Sequence, residues 1–254
     1  MSIIYDDKIV EALKNAEKDA NDKIIDEINK IIFESPEDNC LNKEMINKVD
    51  NIVKNIITVK KSKYRDNFFP GLINALDLKT GVEIGVDTAE FSCHILTKTK
   101  MTQYYCVDTW MDNFGSGIKM KKSTFNKDGN MRFIEASERL DEFGDRAVFL
   151  KMSSLEAANK FNDNSLDFLY IDGDHSLAML LDLYAWIPKI RIGGICSGHD
   201  YKIGKNSGIR DYNDEQLDYE VKTCVDYFCK RYGYKLRTVG GVTLSWWFVK
   251  NKEI

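Results

Sequence analysis

The chain has 254 residues, of which 43% are hydrophobic and 11% aromatic, so it can bury the core of one large domain, or of one domain with an appendage. Its formal net charge is −4 at pH 7, which disfavours nucleic acids and anionic membranes as partners. The sequence contains no apolar stretch of about 18 residues, as a membrane-spanning helix would need, and its N-terminus lacks the pattern of a secretion signal.

The first 63 residues are predicted to form a helical arm. Apolar residues recur at steps of three and four from Asp6 to Phe33 and again from Asn42 to Val59, which is typical of amphipathic helices. Two interpretations stay open for this arm. It is either a lid or a dimer-forming element that makes the chain a homo-oligomer, or a helical pair packed on the main domain, which we expect to span residues 64–254.

Beyond residue 64, short apolar segments alternate with helical segments. This alternation predicts a parallel sheet that helices cover on both faces. The expected strands are GVEIGV (Gly81 to Val86), QYYCVDTW (Gln103 to Trp110), AVFLKM (Ala147 to Met152), LDFLYID (Leu166 to Asp172) and GGICSGHD (Gly193 to Asp200).

The C-terminal segments break the alternation. YKLRTV and TLSWWFVK are both strand-like, and only three residues separate them. A parallel crossover needs about a dozen residues, so the two segments are predicted to form an antiparallel hairpin. The predicted fold class is therefore α/β, with a seven-stranded, mostly parallel, doubly wound sheet that has one antiparallel strand in a C-terminal hairpin and follows an N-terminal helical arm.

Six cysteines are scattered through hydrophobic segments and form no Cys-x-x-Cys pair. Tetrahedral zinc sites usually need such closely spaced pairs, so we do not expect a cysteine zinc site. The pattern is typical of reduced, buried thiols, and we expect a cytoplasmic protein.

Polar residues follow the carboxyl ends of the predicted strands, where open parallel sheets bind ligands. Four of the five strands end in an acidic residue, which indicates a functional site along this edge. In chain order the strand ends are Gly85-Val86-Asp87, Asp108-Thr109-Trp110, Met152-Ser153-Ser154, Asp172-Gly173-Asp174-His175 and His199-Asp200-Tyr201.

The turn after the first strand, EIGVDTAEFS, has the single glycine Gly85 and the acid Asp87. A dinucleotide-binding turn would have the pattern G-x-G-x-x-G, and a pyrophosphate here would meet negative charge. The turn therefore favours a cationic cofactor without phosphate. Asp108, 23 residues after Gly85, can accept hydrogen bonds from both hydroxyls of a ribose, or it caps a turn.

Four segments carry a resemblance to a known family: GVEIGVDTAEFS, CVDTW, SLDFLYIDGDHSLAMLLDLYAWIPKIRIGGICSGHDY and SWWFVK. They resemble the class I (Rossmann-like) S-adenosylmethionine (SAM)-dependent methyltransferases. More narrowly, they are similar to the small-molecule and sugar O-methyltransferases related to macrocin O-methyltransferase and cephalosporin hydroxylase-like proteins. The resemblance covers about Tyr64 to Lys250, and Ala89 departs from it, because the family usually has glycine there.

The resemblance implies that SAM binds at the carboxyl edge of the sheet. Asp108 would hold the ribose, with Thr109 and Trp110 beside it, while Ser153 and Ser154 would lie against the adenine. The residues expected at the methionine part are Glu83, Gly85, Val86, Asp87, Phe91 and Ser92. Asp172 is also expected to bind the cofactor.

The resemblance also implies a metal site. Related O-methyltransferases hold a divalent ion with an acid after the fourth strand and two residues after the fifth, which here are Asp172, His199 and Asp200. Mg²⁺ prefers oxygen ligands, so a histidine ligand moves the preference toward Mn²⁺ or another transition ion, unless His199 does not ligate.

Methyl transfer to an oxygen requires a base for the hydroxyl proton, or a metal that lowers the hydroxyl pKa. His175 stands three residues after Asp172, at the predicted first turn of the next helix, and the ordinary histidine pKa near 6.5 suits a base at neutral pH. We therefore expect His175 and Asp172 to be catalytic. The alternative role for His175 is to cap the helix or to bond a carbonyl of the core. Asp174 is interpreted as a helix-start acid and Asp182 as a packing residue.

Two loops are candidates for substrate binding. The long stretch from Met111 to Asn130 is interpreted as a substrate lid, with a disordered insertion as the alternative. After the fifth strand, Tyr201 and Arg210 are expected to contact the substrate together with His175.

The predicted function is SAM-dependent methylation of a hydroxyl on a small molecule or sugar, assisted by Mg²⁺ or Mn²⁺. One alternative is a catalytically silent binding or scaffold protein of the same fold. The other is an NAD-dependent oxidoreductase, which the single glycine and the terminal hairpin disfavour.

Overall fold

The computed structural model describes residues 43–57, 64–111, 128–176, 178–201, 220–240 and 244–254. The predicted helix over residues 6–33, most of the predicted lid (112–127) and Arg210 lie outside the described residues. No helix within the described ranges is both long enough and apolar enough to cross a membrane.

One seven-stranded sheet forms the centre of the described part, in the order β3-β2-β1-β4-β5-β7-β6. Strands β1 to β5 pair in parallel, whereas β7 runs antiparallel to both β5 and β6. The predicted fold class, including the reversed strand of a C-terminal hairpin, is confirmed. The strands are β1 (Thr80–Ile84), β2 (Gln103–Asp108), β3 (Ala147–Lys151), β4 (Leu166–Ile171), β5 (Ile190–Gly198), β6 (Arg237–Val239) and β7 (Ser245–Val249).

Helices cover both faces of this sheet. One hydrophobic core joins α5, α6 and α7 to one face, and a second joins α1 to α4 to the other. Alternate residues of β4 supply the two cores, with Leu169 in the first and Phe168 in the second, because successive strand side chains point to opposite faces. The helices are α1 (Lys43–Ile57), α2 (Arg65–Ala75), α3 (Glu90–Lys98), α4 (Gly129–Leu140), α5 (Ser154–Ala158), α6 (Met179–Trp186) and α7 (Val221–Tyr232).

Helix α1 corresponds to the second helix predicted for the arm. Val49 is buried in the core of the sheet domain, and the Asp50 carboxylate pairs with Lys235 and Arg237 beside and within β6. This helix therefore packs on the sheet domain. The lid-or-dimer interpretation and the boundary at residue 63 stay predictions, since residues 1–42 lie outside the described part.

Helix α2 was not predicted, because Pro70 and Gly71 stand in its middle and normally interrupt helices. Tertiary packing accounts for the helix: Phe68 and Phe69 are completely buried. A Cβ at Gly71 would lie 3.4 Å from Cγ2 of Ile56, so the glycine allows α1 and α2 to approach closely.

Helix α6 buries a carboxyl group. Asp182 is only 6% exposed, and burial raises its pKa from 3.8 to about 7, although a hydrogen bond with Ser154 opposes this rise. Nε1 of Trp186 donates a hydrogen bond to Oγ of the same serine, at 2.7 Å. Asp182 is thus part of the packing between α5 and α6, as interpreted from the sequence.

The substitution Asp182→Asn is expected to remove a pH dependence of stability. In the wild type the folded carboxyl keeps its proton up to about pH 7 while the unfolded one loses it near pH 3.8, so stability falls as the pH rises through this window. At about 1.36 kcal/mol per pKa unit, the wild type should lose on the order of 3 kcal/mol relative to the variant between pH 5 and pH 8. Urea denaturation of both proteins at both pH values measures the free energy of unfolding. If the wild type and the variant differ by the same amount at pH 5 and pH 8, the raised pKa of the buried Asp182 is contradicted.

Candidate functional site

Gly85 brings the turn after β1 against the turn after β4. Its φ of +82° lies in the left-handed region, and a Cβ at this position would overlap the carbonyl oxygen of Asp172 and lie 2.6 Å from Cα of Gly173. The backbone N–H of Asp172 donates to the carbonyl of Ile84 at 2.7 Å. Only glycine fits this contact, which places the predicted cofactor turn beside the predicted catalytic acid.

Several residues without glycine's freedom also have a positive φ at this edge: Asp87 (+51°), Ala89 (+60°), Trp110 (+46°) and Asp200 (+53°). Such conformations cost an L-residue about 1–2 kcal/mol each, and they often mark functional sites. The left-handed backbone at Ala89 is one that glycine adopts without steric cost, and glycine is the residue that the sequence resemblance implied here.

Asp108 organises the ends of β1 and β2. Its Oδ2 accepts a hydrogen bond from the N–H of Asp87 at 2.9 Å, and its Oδ1 accepts one from the N–H of Trp110 at 2.8 Å. The turn-capping role that was the alternative for Asp108 is therefore present. Each carboxylate oxygen keeps a second acceptor site, so ribose binding is compatible with this geometry and stays a prediction. Contacts of Thr109 and Val86 with a cofactor likewise stay predictions.

Arg132 on α4 was not identified from the sequence. Its side chain is 8% exposed, and it donates to Oδ1 of Asp87 at 3.3 Å and to the carbonyl of Met111 at 2.9 Å. Burial raises the pKa of Asp87, and the guanidinium of Arg132 opposes this rise. The contact joins residues 45 positions apart, so no local pattern indicated it.

Glu83 and Ser92 form a buried pair under the turn. Oγ of Ser92 donates to Oε2 of Glu83 at 2.6 Å, and the hydroxyl of Tyr104 donates to the same oxygen at 3.3 Å. Burial raises the pKa of Glu83 to about 8, so its carboxyl group is mostly protonated at neutral pH. The ring of Phe91 lies 4.1 Å from that of Tyr170, between centroids. Contacts of Glu83, Phe91 and Ser92 with a cofactor stay predictions.

The serines after β3 serve the start of α5. Ser153 forms a capping box with Glu156, and Ser154 accepts the hydrogen bond from Trp186. Both hydroxyls thus have protein partners, and their predicted position against an adenine stays a prediction.

The acids and histidines that follow β4 and β5 converge. Possible ligand atoms of Asp172, His175 and Asp200 all lie within 4.8 Å of one another. Nε2 of His175 is 2.9 Å from Oδ2 of Asp200 and 3.8 Å from Oδ1 of Asp172. Nδ1 of His199 is 3.5 Å from Oδ1 of Asp172 and 3.2 Å from Oδ1 of Asp200.

This donor set fits a divalent ion, because carboxylate oxygens suit Mg²⁺ and Mn²⁺ and an imidazole adds preference for a transition metal. The compact group contains His175, whereas the sequence resemblance implied His199. The assignment of His199 as a ligand stays a prediction.

His175 differs from its expected setting in two ways. It lies in the turn before α6, which begins at Met179, and not in the first turn of the helix. Burial would lower its pKa, but the carboxylates of Asp172 and Asp200 raise it to about 9. The expected ordinary pKa is therefore wrong for this arrangement, in which the imidazole is charged at neutral pH.

The neighbouring acids have distinct roles. Burial would raise the pKa of Asp172, but hydrogen bonds with His175 and His199 hold it far below its usual range. Oδ1 of Asp174 accepts a hydrogen bond from the N–H of Ser176 at 2.7 Å. Asp174 therefore caps the turn that leads toward α6, in line with its interpretation as a helix-start acid.

Arg65 reaches the site from α2 and was also missed. Its Nη1 donates to Oδ2 of Asp172 at 3.3 Å and to the hydroxyl of Tyr170 at 3.4 Å. Its guanidinium carbon lies 5.1 Å from the ring centroid of Phe91. Because α2 itself was not expected, nothing indicated that Arg65 would lie at the end of β4.

Tyr201 was predicted to contact the substrate. Its hydroxyl donates a hydrogen bond to Oδ1 of Asp226 in α7. Its backbone N–H donates to the carbonyl of Leu244 at 2.9 Å. These contacts fix the end of β5 next to the C-terminal hairpin, and the contact with substrate stays a prediction.

Comparison with known proteins gives a match to one domain model and a set of similar folds. Residues 78–201 match a family model described as a methyltransferase domain. No curated protein sequence is significantly similar to the chain.

Solved structures share the architecture over most of their length. A provisionally assigned caffeoyl-CoA O-methyltransferase from Staphylococcus aureus is 13% identical, with a TM-score of 0.54 over 96% of this chain and 99% of that one. A provisionally assigned O-methyltransferase from Klebsiella pneumoniae is 14% identical, with a TM-score of 0.50 over 88% and 96%. An O-methyltransferase from Bacillus cereus in complex with S-adenosylhomocysteine (SAH) is 13% identical, with a TM-score of 0.50 over 89% of this chain and 97% of that one. At these identities the likeness shows the fold.

Proposed function

We propose that this chain, which has the class I SAM-dependent methyltransferase fold and matches a methyltransferase domain over residues 78–201, moves a methyl group from SAM to a hydroxyl of a small molecule or sugar. The observation that carries the proposal is that the predicted cofactor turn and the candidate metal site lie in contact at one edge of the sheet. The glycine turn after β1 touches the turn that contains Asp172, and Asp172 belongs to the compact group with His175 and Asp200.

The cofactor part of the proposal is supported by the charge of the turn. Asp87 lies in the turn after β1, where a dinucleotide-binding protein holds the pyrophosphate, so the cationic sulfonium cofactor suits this edge better. The antiparallel β7 also differs from the plain doubly wound sheet that the oxidoreductase alternative would have.

The acceptor part is supported by the Asp172–His175–Asp200 group. A divalent ion held by Asp172 and Asp200 with His199, and not with His175, would lower the pKa of an acceptor hydroxyl. In the reaction, the acceptor oxygen forms a bond to the methyl carbon as the sulfur–methyl bond breaks, and SAH leaves. The hydroxyl proton passes to Nε2 of His175, which Asp172 and Asp200 orient.

This role requires His175 to be neutral before the transfer. Its raised pKa comes from the two carboxylates, so positive charge that offsets them favours loss of the proton. Metal assistance and base catalysis by His175 are thus linked through the same two acids.

The narrower kinship with macrocin O-methyltransferase and cephalosporin hydroxylase-like proteins is also a proposal. Its support is the segment IDGDH together with GHDY, which supply the Asp172, His175 and Asp200 of the observed cluster. The small-molecule or sugar acceptor follows from this kinship.

The proposal is tested by incubating the protein with SAM, Mn²⁺ and a panel of phenols, catechols and sugars. We expect SAH to form and one acceptor to gain the mass of one methylene group, as detected by mass spectrometry. Methylation of a nitrogen or a carbon in place of oxygen, or SAH formation that Asp172→Asn does not diminish, would contradict the proposed chemistry.

A further inference from the structure

We propose that Arg65 binds the α-carboxylate of the methionine part of SAM, an inference that rests on the proposed function. In the sheet, β1 lies between β2 and β4. If Asp108 at the end of β2 holds the ribose, a cofactor that lies across the end of β1 extends its methionine part toward β4. Arg65 contacts Asp172, the residue that follows β4.

The charges near the end of β4 favour a cation as the partner of the α-carboxylate of SAM. The carboxylate of Asp172, which Arg65 contacts, repels a second carboxylate. Arg132 and Arg139 contact the glycine turn through Asp87 and the carbonyl of Thr88, on the side of α4. Arg65 supplies positive charge on the side of β4.

Protein contacts hold the Arg65 guanidinium in place. Nε donates to Oδ1 of Asp66 at 3.1 Å, and Nη1 donates to Oδ2 of Asp172 and to the hydroxyl of Tyr170. The guanidinium lies over the ring of Phe91. Nη2 makes no hydrogen bond to another described residue, and the side chain is 28% exposed. A guanidinium fixed in this way keeps N–H donors for a ligand and loses little conformational freedom on binding.

Arg65 lies before residue 78, where the methyltransferase domain match begins. The helix that carries it packs into the same core as α3, which starts at the cofactor turn. The segment ahead of the matched domain therefore contributes to the cofactor site.

The test compares two ligands that differ in the amino-acid part. SAH has the α-carboxylate, whereas 5′-methylthioadenosine has the adenosine and sulfur without the amino acid. Calorimetry with Arg65→Met is expected to show SAH binding weakened about 10- to 100-fold, the effect of losing a charge-assisted hydrogen bond, while methylthioadenosine affinity stays within about 2-fold. Arg65→Lys keeps the charge without the planar fork and should give a smaller loss, again for SAH alone.

Lys98→Met is the matched control, because Lys98 is an exposed cation that bonds the carbonyl of Asp66 and Oδ1 of Asn67 on the same helix α2. It should bind both ligands as the wild type does. Equal weakening of both ligands in Arg65→Met would mean that Arg65 acts only by supporting Phe91 and Asp172, and unchanged SAH binding would also overturn the inference. If Arg65→Met does not fold, the same comparison with Arg65→Lys decides. A wild type that binds neither ligand would instead remove the proposed function.

Discussion

The substitution Gly85→Ala is expected to abolish SAH binding. The new Cβ would overlap the Asp172 carbonyl, and the left-handed φ of +82° adds about 1–2 kcal/mol of backbone strain. The turns after β1 and β4 would have to separate, which moves Asp172 away from the cofactor turn. We expect SAH affinity to fall by at least about 100-fold and the free energy of unfolding by about 3 kcal/mol, as measured by calorimetry and urea denaturation.

Gly144→Ala is the matched control for this variant. Gly144 also has a left-handed φ, +52°, but no described atom lies within 4 Å of the position its Cβ would take. It should therefore lose only the backbone strain, about 1–3 kcal/mol at its ψ of −132°, and keep full SAH affinity. SAH binding by Gly85→Ala at wild-type strength would show that the cofactor does not lie at this turn.

Asp172→Asn is expected to abolish Mn²⁺ binding. The substitution replaces a carboxylate oxygen of the compact group by a neutral amide and removes one of its two negative charges. Changing partners that only orient metal ligands costs about 10- to 100-fold in affinity, so loss of a ligand itself should cost more. Electron paramagnetic resonance of free Mn²⁺, titrated with protein, measures the affinity directly.

Asp174→Asn serves as the control, because Asp174 stands in the same turn but caps the N–H of Ser176, a role that asparagine can also fill. It should bind Mn²⁺ as the wild type does. Equal Mn²⁺ affinities of the wild type and Asp172→Asn would contradict the metal site at these acids.

Much of the fold could be predicted because its signals are local. Each apolar strand segment is short and is followed by a helical period, and the Gly-Gly-Val connection is too short for anything except a hairpin between YKLRTV and TLSWWFVK. The convergence of Asp172 with Asp200 also followed from local features, since the ends of adjacent parallel strands meet at one edge.

The features that were missed depend on contacts between distant residues. Pro70 and Gly71 concealed α2, whose stability comes from buried phenylalanines and not from helix propensity. Arg65 was missed with it, because its partner Asp172 is 107 residues away. The raised pKa of His175 likewise depends on a carboxylate that another strand supplies.

The central claim, that the carboxyl edge of this sheet binds SAM and its product SAH, is tested most directly by calorimetric titration of SAH into the wild-type protein. We expect one site per chain with a dissociation constant in the micromolar range. Folded protein that takes up no SAH at millimolar concentration would contradict the claim.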